Sequence, residues 1–329
     1  MKAFVVEHRD DAVDASVREV DERAFLDEGD VTVAVSWSCL NFKDAMVARP
    51  KSRVARRDVL IGGVDGVGTV LASDDGDVAV GDAVLAQGHG FGTSHHGGFA
   101  PRLRCEASWL TPLPQGLEPR TAMVLGTAGY TAMASVLALE STGLTNDAGP
   151  VLVTGATGGV GSTAVALLAA RGFEVTAMTG KPSESAYLQG LGARDVVGRD
   201  AIEDHPERVL GKARFAGAVD CVGGETLASI LRVLRWGGAV AATGLVGGVQ
   251  LATTVYPFIT RNVSVMGIDS VDAPQKVRRE VWETLACALR APVVESLVAR
   301  EIGLAGIARG LDELDHGRVR GRVLVDPNR

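Results

Sequence analysis

The sequence predicts an α/β protein in which a doubly wound parallel-sheet domain is joined to a β-rich, barrel-like domain. Three observations predict it. The first is Val151-Leu152-Val153-Thr154-Gly155-Ala156-Thr157-Gly158-Gly159-Val160-Gly161-Ser162, a β-branched run followed by four glycines. Apolar residues at helical spacing come next (Ala164, Val165, Leu167, Leu168), so the stretch reads as strand, tight turn, helix. The second is the alternation of strand and helix patterns that continues beyond it, the signature of a parallel sheet with crossover helices. The third is a series of short alternating segments with Gly turns before residue 111, which suits a barrel.

A chain of 329 residues is too long for one ordinary core, so two domains are expected. With 46% hydrophobic and 22% charged residues, it has the material for a sizeable core, and disorder is not expected. The net charge of −7 comes without a basic face, and the Arg53, Arg56, Arg57 cluster is local, so no nucleic-acid partner is expected. Cys39, Cys105, Cys221 and Cys287 are widely spaced and form no C-x-x-C, which suggests neither a disulfide framework nor a structural zinc cage. The N-terminus becomes charged too soon for a signal peptide, and no apolar run is expected to reach transmembrane length. The expectation is a cytoplasmic protein with no membrane partner.

Taken in order, residues 2–6, 31–36 and 66–72 read as strands, with a turn at 74–77 and a further strand after Gly81. Residues 88–98 hold five glycines and three histidines and read as a loop. The texture changes near Thr111-Pro112-Leu113-Pro114. A helical pattern over 119–139 is expected to break at 126–129. Strands are then expected at 151–153, 173–178, 195–197, 215–222, 238–242 and 263–268, with helices at 162–170, 183–191 and 226–234. The tail gives an amphipathic helix from Gln275 (Val277, Val281, Leu285, Leu289) and a last strand at 322–325, and is expected to return to the first domain.

The glycine turn suits a phosphate pair. Glycines let the backbone approach the ligand, and the helix N-terminus presents unpaired N–H groups and a positive dipole, here at Thr157, Gly158, Gly159 and Val160. A carboxylate at the tip of the second strand would bind the ribose 2′-hydroxyl of NAD. This strand ends Met178-Thr179-Gly180-Lys181, with no acid. A hydroxyl and an ammonium favour a 2′-phosphate, so NADPH is expected, with Thr179, Gly180 and Lys181 around that phosphate and Arg199 as a further cation. The loops 220–224 and 243–248 lie at strand ends, where open α/β sheets bind ligands. They read either as cover for the nicotinamide half or as simple turns. Cys221 follows an apolar strand with no base beside it, so it is not expected to be a nucleophile.

With these motifs in view the chain resembles the medium-chain dehydrogenase/reductase superfamily. The markers are Gly81-Asp82-Ala83-Val84, Gly97-Gly98-Phe99-Ala100, Gly126-Thr127-Ala128-Gly129 and the glycine turn. It is similar to the zinc-independent quinone oxidoreductase branch and, more narrowly, to the acrylyl-CoA reductase (NADPH) family. That narrower likeness rests on Trp37-Ser38-Cys39-Leu40-Asn41-Phe42-Lys43-Asp44-Ala45, Pro257-Phe258-Ile259-Thr260-Arg261-Asn262-Val263 and Gly267-Ile268-Asp269-Ser270-Val271. The resemblance implies a GroES-like catalytic domain over 1–122 and 272–329 and a Rossmann NADPH-binding domain over 123–271. It extends the cofactor set to Phe42, Thr127, Val222, Leu245, Ile259, Ser270 and Arg322. Zinc members carry a Cys where this chain has Asn41 and a His-Glu pair where it has Val64 and Asp65, so no metal is expected.

The implied reaction is hydride addition to the β-carbon of a C=C bond conjugated to a carbonyl, with hydrogen bonds stabilising the enolate. Acrylyl-CoA is the leading substrate. Quinones or free enones are the alternative, and an NADPH-binding redox sensor without turnover is the non-enzymatic one. Asn41, Phe42 and Asp44 are the catalytic candidates: Asn41 and Asp44 either face the substrate or cap the following helix. Phe42 stands where the family carries Tyr, and it has no proton to give. His95 is an alternative acid. The basic loop 48–53 either meets coenzyme A phosphates or is a solvated surface. A homodimer is expected through an edge strand at 262–268.

Overall fold

The computed structural model describes residues 1–202 and 208–329, and these divide into two compact units. The first comprises Met1–Ala128, Ser270–Cys287 and Val294–Arg329; the second comprises Gly129–Asp269 and Ala288–Val293. The division falls at 128/129 rather than 122/123, and Thr127 is hydrogen-bonded into the first unit through Asp65.

In the first unit the strand Val31–Cys39 is central. Its alternation buries Val31, Val33 and Val35, and it pairs antiparallel with Asp65–Ser73, Arg102–Cys105 and Arg322–Asp326. The register places Leu324 opposite Cys39. The end of one strand (Cys39), the start of another (Asp65) and the return of the tail (Arg322) therefore converge. A second, three-stranded sheet of Lys2–Arg9, Ala12–Glu19 and Val59–Ile61 packs Phe4, Leu60 and Ile61 with Phe99, Leu40 and Ile307. Each such side chain contributes roughly 1.5–3 kcal/mol by burial. Among the strands not predicted from the sequence are Ala12–Glu19 and Val298–Gly303. Both are largely exposed and polar, so neither shows a buried alternation.

The second unit is a six-stranded parallel sheet in the order Asp195–Val197, Val175–Met178, Val151–Val153, Phe215–Asp220, Leu234–Ala242, Ser264–Gly267. The first strand in sequence lies mid-sheet and the order reverses beside it, which makes the crevice where such sheets take ligands. Its helix starts at Gly159 rather than 162, so the last glycines of the turn are themselves helical.

The expected break at 126–129 narrows to one residue. Pro119–Ser141 is helical except at Gly126, which adopts φ 51°, ψ −156°. This helix is long and apolar enough, by length and composition, to cross a membrane, which corrects the expectation that no apolar run reaches that length; 78% of its apolar window is buried, as in a core helix. A Cβ at Gly126 would lie 2.8 Å from Asp65 Oδ2 and Cys39 Sγ and 2.9 Å from Arg322 Nη2. Gly126→Ala therefore combines a left-handed φ with a clash and is expected to cost roughly 1–3 kcal/mol. Scanning calorimetry should show a midpoint lowered by several degrees; an unchanged midpoint would mean that the break does not need glycine.

Candidate active site

The convergence of three chain segments in the first unit is organised by Asp65, which is 1% exposed. Its Oδ1 accepts from the Thr127 hydroxyl at 2.6 Å. Its Oδ2 accepts from the Thr127 amide (2.8 Å), the Asn41 side-chain amide (2.8 Å) and the Cys39 thiol (3.2 Å). Arg322, also buried, donates from Nε to Val124 O (3.0 Å), from Nη1 to Asn41 Oδ1 (3.2 Å) and Leu40 O (3.3 Å), and from Nη2 to Cys39 Sγ (2.9 Å). Burial pushes the Cys39 thiol well above its ordinary value despite Arg322, so it stays protonated and donates to Asp65.

The hydrogen-bond directions continue in one sense. Gln87 Oε1 accepts from Trp282 Nε1 (2.9 Å) and Arg278 Nη1 (3.3 Å), and its Nε2 donates to Thr127 Oγ1 (2.9 Å). The Thr127 hydroxyl must then donate onward to Asp65. The indole and guanidinium have no acceptor atoms, so they fix the orientation of the whole chain of groups.

Asn41 is the N-cap residue of the helix Phe42–Val47. Asp44 reaches back to the Asn41 amide (2.8 Å) and also accepts from the Val64 amide (2.9 Å). Both of its oxygens are therefore committed to backbone, and Asp44 braces the loop that carries Val64 and Asp65. The Asn41 side chain is fully engaged, donating to Asp65 and accepting from Arg322. It is 7% exposed. Phe42 is half-buried, with the Arg49 guanidinium 5.2 Å from its ring centroid.

A narrow cleft with room for about 30 Å³ opens beside this network, well below the volume of a closed ligand pocket. It is lined by Lys43, Val64, Phe91, Thr93, Thr127 and Ser270, with Gly88, Gly90 and Val271. Of the sequence-predicted residues the structure brings Thr127 and Ser270 to this cleft and sets Asn41, Asp44 and Arg322 in the polar network around Asp65. His95 does not line it; its Nδ1 lies 3.8 Å from Asp27 and its ring is edge-on to Trp109 at 4.5 Å.

In the second unit Gly155 adopts φ 58°, and a Cβ there would lie 3.3 Å from the Cys221 side chain, so the glycine turn and the 220–224 loop pack closely. Gly158 is the N-cap of the helix Gly159–Ala170, whose first turn holds Gly159 and Val160, with Thr157 buried just before it. Asp220, fully buried, accepts from the Thr154 hydroxyl (2.5 Å) and the amides of Val222 (3.1 Å) and Gly223 (2.9 Å). It ties the two loops together, a role the sequence reading missed. Its signal was a lone acid closing an apolar strand. Burial pushes the Cys221 thiol up to about 12, which suits its reading as unreactive.

At the next strand end the Thr179 hydroxyl accepts from the Lys181 amide at 3.0 Å. Gly180 leaves room for Arg199, whose guanidinium a Cβ would meet at 2.5 Å. Thr179, Lys181 and Arg199 are thus gathered as the sequence predicts. Leu245 and Ile259 are exposed at 49% and 73%, and Val222 is half-buried.

A parallel sheet with a glycine turn on its first strand, together with a β unit bearing a buried polar end, defines a two-domain nucleotide-dependent oxidoreductase fold. Residues 27–115 match the alcohol dehydrogenase GroES-like domain and residues 159–287 match the zinc-binding dehydrogenase family. The chain belongs to the medium-chain dehydrogenase/reductase superfamily. It is 46% identical to the acrylyl-CoA reductase AcuI of Ruegeria pomeroyi over 92% of each chain. It is 41% identical, over 98% of each chain, to Bacillus subtilis YhfP, whose name assigns it provisionally to the quinone oxidoreductases. Among solved structures, Escherichia coli K-12 YhdH with bound NADPH has a TM-score of 0.96 at 44% identity, covering 99% of this chain and 100% of that one. YhfP with NAD bound has a TM-score of 0.95 at 41% identity, covering 99% and 98%.

The zinc of the family's name does not fit these residues. Val64 offers no donor atom, the Asn41 amide nitrogen is turned to Asp65, and the Arg322 guanidinium already places a positive charge 2.9 Å from Cys39 Sγ.

Burial, helped by the nearby Asp65 charge, pushes Asp44 up to about 7 against the pull of its backbone N–H donors. This folded value lies above the ordinary 3.8, so between about pH 4 and 7 the folded chain keeps a proton that the unfolded chain has lost. The contribution of Asp44 to stability therefore weakens as pH rises through that window. The stability of the wild type relative to Asp44→Asn should fall by on the order of 2 kcal/mol between about pH 5.5 and 7.5, read from denaturant melts. A pH-independent difference would contradict the assignment.

Proposed function

We propose that the protein is a zinc-independent, NADPH-dependent reductase of an activated C=C bond, with acrylyl-CoA as substrate and propionyl-CoA as product. The observation that carries this reading is the Asp65–Asn41–Arg322 network: Asn41 and Asp65, which by resemblance stand where zinc members carry ligands, are committed to hydrogen bonds instead. Charge that develops on the substrate carbonyl must then be met by hydrogen-bond donors. The likeness to AcuI supports the substrate.

NADPH, when bound, supplies the hydride. The N–H groups of Gly159 and Val160 in the first helical turn would hold its pyrophosphate, and Thr179, Lys181 and Arg199 its 2′-phosphate. Lys43 and Ser270 line the cleft and can present protons to an enolate. Thr127 and Thr93 also line it, but their hydroxyl protons go to Asp65 and to Gly90 O. With no phenol at Phe42, protonation of the α-carbon falls to another cleft donor or to water. The four cysteines, all unpaired, support a reducing, cytoplasmic setting.

Steady-state assays with acrylyl-CoA and a simple quinone, each with NADPH and NADH, test this. Acrylyl-CoA with NADPH should give the highest kcat/KM; turnover of the quinone alone would overturn the substrate. Lys181→Ala and Arg199→Ala should each lower kcat/KM for NADPH roughly tenfold, about 1.4 kcal/mol, and leave NADH unchanged. Equal losses with both cofactors would contradict a 2′-phosphate role.

The proposal includes a homodimer. Ser264–Gly267 is an outer strand of the parallel sheet, and Val249, Tyr256, Ile259 and Val265 nearby in sequence are exposed apolar residues. Such an edge invites pairing with a second copy. Light scattering should return twice the chain mass; the mass of a single chain would refute it.

A further inference from the structure

Residues 49–57 carry five basic side chains in a chain whose net charge is −7. Three of them are committed. Arg49 binds Asp315 (Nε–Oδ1 2.7 Å), Lys51 pairs with Asp11 at 3.0 Å, and Arg57 pairs with Asp27 at 2.6 Å. Arg53 and Arg56 are exposed and make no ion pair among the described residues; Asp58, the nearest acid in sequence, pairs with neither.

The loop that carries them is built rather than loose. The Ser52 hydroxyl donates to Met46 O (2.8 Å) and accepts from the amides of Val54 and Ala55 (3.2 Å each). Val54 and Ala55 pack against the core. The Arg56 amide donates to Thr93 O at 2.9 Å, and Thr93 lines the cleft together with Lys43. Two unneutralised guanidinium groups are thus held on a braced loop next to the rim of the substrate cleft. A guanidinium fork is matched to phosphate oxygens, and the braced backbone sets where each fork is anchored.

We propose that Arg53 and Arg56 bind the phosphates at the nucleotide end of a coenzyme A thioester whose acyl end enters the cleft beside Lys43. This rests on the reading of the protein as an acyl-CoA reductase, but it assigns recognition to residues that take no part in the reduction. The paired Arg49, Lys51 and Arg57 hold the loop, and the unpaired two meet the ligand.

The test uses the full chain saturated with NADP+. Free coenzyme A is titrated calorimetrically into the wild type and the Arg53→Glu/Arg56→Glu variant, and NADPH affinity is measured beside it. In parallel, KM is measured for acrylyl-CoA and for acrylyl-pantetheine, which lacks the phosphates. The expected result is at least tenfold weaker coenzyme A binding and at least tenfold higher KM for acrylyl-CoA, with KM for the pantetheine thioester and NADPH affinity unchanged. The wild-type affinity for coenzyme A should also fall with added salt. Equal coenzyme A binding by both proteins overturns the proposal, as does a matching loss with acrylyl-pantetheine, which would reveal damage to the cleft itself. Arginine-dependent coenzyme A binding without turnover of any acyl-CoA would instead retain this site and overturn the proposed reaction.

Discussion

The carboxylate of Asp65 is the constraint on which the first unit's functional end depends. It is buried, and its two oxygens accept from three residues far apart in the chain: Cys39, Asn41 and Thr127. A buried acceptor that loses a donor costs about 1–3 kcal/mol, and more when charge is involved. The arrangement therefore allows little local change. Gly126 must bend the long helix to make room, Asp44 must hold the loop before Asp65, and Gln87 must present its amide nitrogen to Thr127. The polar groups around the cleft are held in place by these contacts, which is what stabilising developing charge by hydrogen bonds requires.

The second unit solves a different problem by similar means. Asp220 is buried at the end of a strand and collects Thr154, Val222 and Gly223. It fixes the two loops at the point where the sheet order reverses. In both units one buried acid turns loose loop backbone into a fixed surface. On the proposed reading the first unit's network serves the substrate and the second unit's loops serve the dinucleotide.

Much of this was legible in the sequence, because the signals were local. The glycine turn, the missing acid after Met178 and the strand–helix alternation each lie within a few residues, and the sheet order, with Thr179, Lys181 and Arg199 together, follows from them. Asn41 and Asp44 were legible as a pair because the capping relation is a short-range one. Asp65 was read only as a departure from a metal site, since its partners lie 24 to 62 positions away. Arg322 was read as a cofactor ligand, and the structure instead buries it against Val124, Leu40, Asn41 and Cys39, contacts that only the antiparallel return of the tail creates. Val298–Gly303 escaped because an exposed strand leaves no alternation to read.

On the proposed reading, hydrogen-bond donors rather than a metal meet the charge on the substrate carbonyl. The most direct measurement is the rate of acrylyl-CoA reduction by NADPH after exhaustive chelation, with the zinc content of the same sample determined by mass spectrometry. An undiminished rate, with no stoichiometric zinc and no response to added zinc, is expected. A rate lost on chelation and restored by zinc would contradict that reading.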